Sequence, residues 1–228
     1  MPSRNARGDQ PPLSQQVYLT LRQTLMVGGF SPGEGVSLRT LAARLGTSPM
    51  PVREAVGRLI AENALQMMPN RHIIVPLMPR ARFEEIWRIR QMLEGMAARL
   101  ACAHMTDDDL TRLEELNRAS VAALDSDDAG GILSSNKDFH FALYAVSRSV
   151  VLQPMIEGLW MQMGPFMRVS LATRVHWDGV QHTEILRALR NRDAEAVVTA
   201  LGKDISNTAQ SVLKADIFTP DEDGSVPR

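Results

Sequence analysis

Residues 37–65, SLRTLAARLGTSPMPVREAVGRLIAENAL, constrain the fold more than any other stretch of the chain. Ser37 is a good N-cap, because its hydroxyl can accept from a backbone N–H that has no partner inside the helix. Leu38, Leu41, Ala42 and Leu45 then come at helical spacing. Gly46 ends this helix, since it tolerates the left-handed conformation beyond a helix end. Ser48 is placed to cap a second helix, with Pro49 and Pro51 in its first turn, where a missing N–H costs nothing. Val52, Ala55, Val56, Leu59 and Ile60 form its inner face. Met50, Arg53, Gly57 and Arg58 therefore point outward. Two short helices joined by a tight turn also occur as ordinary helical hairpins. The next ten residues narrow the choice. Short apolar runs at residues 65–68 and 73–75 flank Pro69, Asn70, Arg71 and His72, which predicts a β-hairpin with Arg71 at its tip. Helix, helix, hairpin is a winged helix-turn-helix, and an arginine at either place can reach phosphate or the acceptor edge of guanine.

Charge supports contact with nucleic acid. The net charge of the 228 residues is −1, but residues 1–78 carry eight Lys/Arg against four acids, +4, and the remainder carries −5. A basic head on an acidic body confines DNA contact to one part of the chain. Its small excess suits a homodimer, which doubles the contacts. The length suits two small domains. No run of about 18 apolar residues is present, so no membrane-spanning helix is expected. The single Cys102 cannot form an internal disulfide, which fits a reducing cytoplasm. Residues 1–12, polar and Pro-containing, are expected to be a disordered arm, and residues 216–228, rich in Asp, Glu, Pro and Gly, a flexible tail.

From Pro79 the pattern is helical throughout. Helices are predicted near residues 80–104, 106–124, 130–147, 149–171, 177–191 and 193–214, with Thr106 and three aspartates as a capped start and Asn191-Arg192-Asp193 as a tight turn. The fold class is therefore mainly α: a winged helix-turn-helix over residues 13–78, then an all-α antiparallel bundle over residues 79–215. Several polar residues fall on apolar faces of that bundle. Arg90 lies in line with Phe83, Ile86, Leu93 and Ala97, with Glu94 one turn later. Asn136 and His140 are four apart between Leu133 and Leu143. His182 precedes Ile185, Leu186 and Leu189, and Asp204 falls in line with Val197, Leu201 and Ile205. Buried polar groups need partners or a ligand. Asn136, His140, His182 and Asp204 are expected to converge on one point. They make either a hydrogen-bonded core or a centre for a first-row divalent ion such as zinc, nickel or manganese.

Residues 14–76 resemble the DNA-binding domain of the GntR family of bacterial transcription regulators. The resemblance rests on Pro32-Gly33, on the LA-x-x-LG-x-S stretch from Leu41 to Ser48 and on PVREAV from Pro51 to Val56. It implies operator contacts from Arg39, Arg44 and Arg53, so the expected DNA-facing set is Arg39, Arg44, Ser48, Met50, Arg53 and Arg71. Pro49 stands where the family often has arginine, His72 replaces the wing glycine and Asn63 the glycine before the wing. Asn63 is the mild change, because asparagine tolerates positive φ.

Residues 80–214 resemble the FCD effector domain of the FadR subfamily. The matching pieces are Arg90-x-x-x-Glu94, Phe139-His140, and His182-x-x-Ile185-x-x-Ala188 closed by Arg192-Asp193. This resemblance implies a homodimeric regulator, more in the manner of a repressor, that reads an inverted repeat in double-stranded DNA and responds to a small carboxylate effector. It also implies a metal held by an Asp, then three histidines; here Asn136 takes the first position and Asp204 the last. Metal with altered preference and a metal-free polar pocket both stand, with metal the expectation. The effector-binding residues expected are Arg90, Glu94, Trp160 and Arg168, with Arg174 as a further cation and Met161, Met163 and Phe166 as a pocket wall. Two other functions fit the residues: a metal-dependent enzyme with a DNA-binding appendage, and a sensor of the ion itself.

Overall fold

The computed structural model describes residues 11–171 and 179–220. Arg174 lies outside the described residues, as do most of the arm and most of the tail.

The N-terminal domain begins with helix α1 (Leu13–Met26), whose Val17, Tyr18, Leu21 and Leu25 are buried. Strand β1 (Gly35–Val36) leads into α2 (Leu38–Arg44), and α3 (Pro49–Ala61) comes after the turn. The Ser37 side chain accepts from the Thr40 N–H, as a cap should, and Gly46 has φ of 61°. Ser48 behaves differently from expectation. It holds the N-cap position of α3 in extended backbone, but its side chain makes no capping hydrogen bond. Two prolines in the first turn reduce the number of N–H groups to be capped, and the hydroxyl stands exposed on the surface.

The wing is a three-stranded antiparallel sheet in the order β1-β3-β2, with β2 at Gln66–Met67 and β3 at Ile73–Ile74. The hairpin strands are shorter than the apolar runs that predicted them, and β1, two residues long, has no periodicity to announce it. At the tip the Met68 N–H donates to the His72 carbonyl, the Arg71 N–H to the Met68 carbonyl, and the His72 N–H to the Asn70 side chain. The left-handed residue of the turn is Arg71, with φ of 63°, rather than His72. Asn63 has φ of 58°.

Six helices make the second domain: α4 (Arg80–His104), α5 (Asp107–Asp125), α6 (Ala129–Val146), α7 (Leu152–Ser170), α8 (Val180–Arg190) and α9 (Ala194–Leu213). All six correspond to predicted helices, with ends shifted by up to three residues. Thr106 and Asp109 form a reciprocal capping box at the start of α5. Arg192, in the turn before α9, has φ of 56° and donates to the Met105 carbonyl. Gln91 on α4 reaches the Gly202 carbonyl and the Ser206 hydroxyl on α9, pinning those two helices together.

Two features tie the molecule together. The α1 helix rests on α7, where a Cβ built at Gly164 would overlap the Leu25 carbonyl and the Met26 backbone. Around this contact Arg22 pairs with Glu157, and Lys137 donates to Gln23 at 2.7 Å. Second, the chain after α9 does not fray at once. Phe218 packs on Phe83 and Phe166 with ring centroids 5.3 and 6.2 Å away, and Thr219 bridges to Pro79. The tail was expected to be flexible from residue 216; its first residues dock because Phe218 finds an aromatic seat under the Arg80 guanidinium.

Candidate functional site

The DNA-facing candidates lie on one domain and all are exposed: Arg39 and Arg44 on α2, Ser48, Met50 and Arg53 at the start of α3, and Arg71 on the wing. Met50 is 62% exposed, unusual for so apolar a residue. The N-terminus of α3 adds the positive end of its dipole to Arg53, although Pro49 and Pro51 leave its first turn with few N–H groups to offer.

The polar residues of the bundle do converge. One ligand atom each from His140 (α6), His182 (α8) and Asp204 (α9) lie within 4.8 Å of one another. His140 Nε2 is 3.0 Å from an Asp204 carboxylate oxygen. The His182 ring stacks on Phe139, centroids 4.0 Å apart, and its Nδ1 is buried without a hydrogen-bond partner. Burial pushes the pKa of His182 down to about 4 against the pull of Asp204, so the ring is neutral, the form that ligates metals. Burial also pushes Asp204 up, but the hydrogen bond with His140 and the nearby His140 and Arg90 outweigh it, and the carboxyl sits below its ordinary range. Asn136 is buried beside the cluster and lines cavities on both sides of it.

A second, larger network locks His140. Glu94 is fully buried and accepts from Arg90 Nε at 2.6 Å, from the Trp160 indole at 3.0 Å and from the Tyr144 hydroxyl. Tyr144 is protonated, because burial and the Glu94 charge hold its pKa well above 10. The single hydroxyl hydrogen goes to Glu94, so the Tyr144 oxygen must accept from His140 Nδ1, 3.0 Å away. His140 Nε2, the other ring nitrogen, then faces the Asp204 carboxylate either with a proton or as a bare lone pair. Two acceptors at that distance repel unless a proton or a cation lies between them. One imidazole nitrogen turned to the open site and the other fixed by a hydrogen bond is the arrangement of a metal-ligating histidine. The donor set of two imidazoles and a carboxylate, with the Asn136 amide alongside, fits a first-row divalent ion.

Not every expected effector residue reaches the site. Arg90 and Trp160 line the cavity beside the cluster, and the Arg90 guanidinium lies 4.5 Å from the Trp160 ring centroid. Glu94 stands behind them as their common acceptor. Arg168 does not line that cavity: it is exposed, at the end of α7 that faces Gly28 of the DNA-binding domain. Helical phase puts it on the side away from Met163 and Phe166, which do line the cavity. Met161 is buried but is not part of the lining either. Tyr144, Trp87 and Thr208 were not anticipated. Tyr144 and Thr208 stand one turn after His140 and Asp204, so the same i, i+4 spacing that singled out Asn136 would have found them.

The comparisons with known proteins agree with this architecture. Residues 13–75 match the family model for bacterial regulatory proteins of the gntR family, and residues 85–207 match that of the FCD domain. The chain belongs to the GntR family of bacterial transcription regulators and carries an FCD domain. It is similar to the HTH-type transcriptional regulator McbR of Escherichia coli K12, 36% identical over 187 residues, which cover 80% of this chain and 85% of that protein. It is also similar to the HTH-type transcriptional repressor RspR of the same organism, 26% identical over 209 residues, 88% of this chain and 89% of the relative. The solved structure of E. coli McbR/YncC superposes with a TM-score of 0.84 at 32% identity, covering 90% of this chain and 99% of that one. The fold and the relatives are those of transcription regulators, not of enzymes. Among the described residues no helix is long and apolar enough to cross a membrane.

Proposed function

We propose that this transcription regulator is a cytoplasmic, ligand-responsive homodimer of the FadR type, acting as a repressor. Two winged domains read an inverted repeat, and a small organic acid bound in the helical domain loosens them from it. One observation carries this reading: α7 lines the cavity beside the His140–Asp204 cluster with Met163, Phe166 and Met167, and presses Gly164 on α1 of the DNA-binding domain. A ligand that moves this helix moves the head.

His140, His182 and Asp204, with Asn136 alongside, would hold the divalent ion. Such an ion supplies a positive charge for the effector's carboxylate. Arg90 adds a second positive charge, oriented by Glu94. Pairing of subunits is supported by Met92 and Met96, one turn apart on α4 and 66% and 55% exposed, an apolar spot that water alone does not favour.

The test is a gel shift on DNA selected from the genome by the protein itself. Wild-type protein should bind it and be released by a carboxylate together with the ion. Arg53→Ala should lose operator binding while its affinity for the carboxylate stays unchanged. Equal operator affinity in Arg53→Ala would remove the role given to α3, and release by the ion alone would make the ion the signal.

A further inference from the structure

The cavity beside the cluster grades from polar to apolar along two helices at once. On α4 the lining runs from Arg90 through Trp87 to Phe83, and on α9 from Asp204 through Thr208 to Val212. Phe83 and Val212 belong to one apolar cluster, while Asp204 stands with His140 at the other end. One end is therefore charged and the other aromatic and aliphatic, with Trp87 and Thr208 midway.

Most polar groups here are already engaged. Arg90 and Trp160 are committed to Glu94. The Trp87 indole nitrogen is buried and has no hydrogen-bond partner. A buried indole N–H normally finds an acceptor. Apart from Arg90, no lysine or arginine lines the cavity among the described residues. A second carboxylate on the ligand would be buried without a counter-charge.

We propose that the effector is a monocarboxylic acid with a flat apolar tail, an aryl acid, carrying a hydrogen-bond acceptor one helical turn from its carboxylate that Trp87 reads. This rests on the proposed function, in which the carboxylate sits at the ion and Arg90. Three residues along α4, from Arg90 to Trp87, advance about 4.5 Å, the reach of a three-carbon chain. The cavity volume in this state is about 10 Å³, room for one water. The tail must therefore displace side chains. Met163 and Met167, unbranched and adaptable, are the ones that yield, and a thin ring asks least of them. Tail insertion acts on the cavity-facing side of α7, the helix whose other side bears on α1.

The experiment is calorimetric titration of the full-length protein, with zinc present, against three probes. These are 4-oxo-4-phenylbutanoate, 4-phenylbutanoate, which lacks only the ketone, and succinate, which lacks the ring. The keto acid should bind about tenfold tighter than its deoxo partner, the value of one neutral hydrogen bond made to an otherwise unpaired donor. Trp87→Phe should abolish that difference, because the donor is lost. Equal affinities of the two phenyl acids in wild type would overturn the proposal, whether or not the variant folds. So would a preference that survives in Trp87→Phe, or succinate binding as tightly as the keto acid. Binding of none of the three would strike down the carboxylate reading itself as well as this extension of it.

Discussion

Glu94 has no exposed surface, yet it is the residue on which the site depends. Arg90, Trp160 and Tyr144 all donate to it, and Tyr144 in turn sets which nitrogen of His140 faces Asp204. Glu94→Gln keeps the shape and removes the charge. It would leave the Arg90 guanidinium buried without its counter-ion, a loss of about 3–5 kcal/mol. Urea unfolding of metal-free protein measures this directly; a loss below about 1 kcal/mol, the size of an exposed pair, would mean that the pair is not a buried one in solution. At this scale the sequence was informative about which residues mattered and silent about their partners. Arg90, Asn136, His140, His182 and Asp204 could be found because each interrupts an apolar helical face. The Arg90–Glu94 pair is local, one turn apart, and was legible. The contacts of Trp160 and Tyr144 with Glu94 join residues 66 and 50 positions apart, and no periodicity on one helix reports them. Arg168 shows the opposite failure: closeness in sequence to Trp160 said nothing about the side of α7 on which it emerges.

Among the elements, α7 has the most to do. Pro165 lies inside it and lacks an N–H, so the helix is locally missing a hydrogen bond beside the residue that touches α1. Gly164→Ala would force its methyl group against the Leu25 carbonyl and the Met26 backbone. The expected cost is about 1–3 kcal/mol of stability, as for other overpacked sites. If α7 is the link, the variant should also respond less to ligand. Gel shifts with increasing carboxylate would then need more acid for the same release, while calorimetry shows its binding little changed. Unaltered stability and release would place the coupling elsewhere. Helices this long were readable from their 3.6-residue pattern, and caps such as Thr106 fixed their starts. The two-residue strand β1 and the docking of Phe218 were not readable, because each is stabilised by a distant partner, Ile73–Ile74 for the strand and Phe83 with Phe166 for the ring.

The whole molecule divides its work by charge and by burial. The basic head keeps Arg39, Arg44, Arg53 and Arg71 exposed to water, and the acidic body keeps its candidate site residues inside. The division into a winged head and a helical body was visible in the sequence, since the hydrophobic period and the charge balance both change near residue 78. The close seat of α1 on α7 was not, and it is the contact through which the proposed regulation would pass. The proposed regulation depends above all on a divalent ion held by His140, His182 and Asp204. Elemental analysis with native mass spectrometry, on wild-type protein and on a His140→Ala/His182→Ala variant, tests for that ion. About one zinc, nickel or manganese is expected per wild-type subunit, as a site of this donor set should hold, and none in the variant. Folded wild-type protein that takes up no ion, even after soaking in all three, would contradict it and leave a proton between His140 and Asp204 instead.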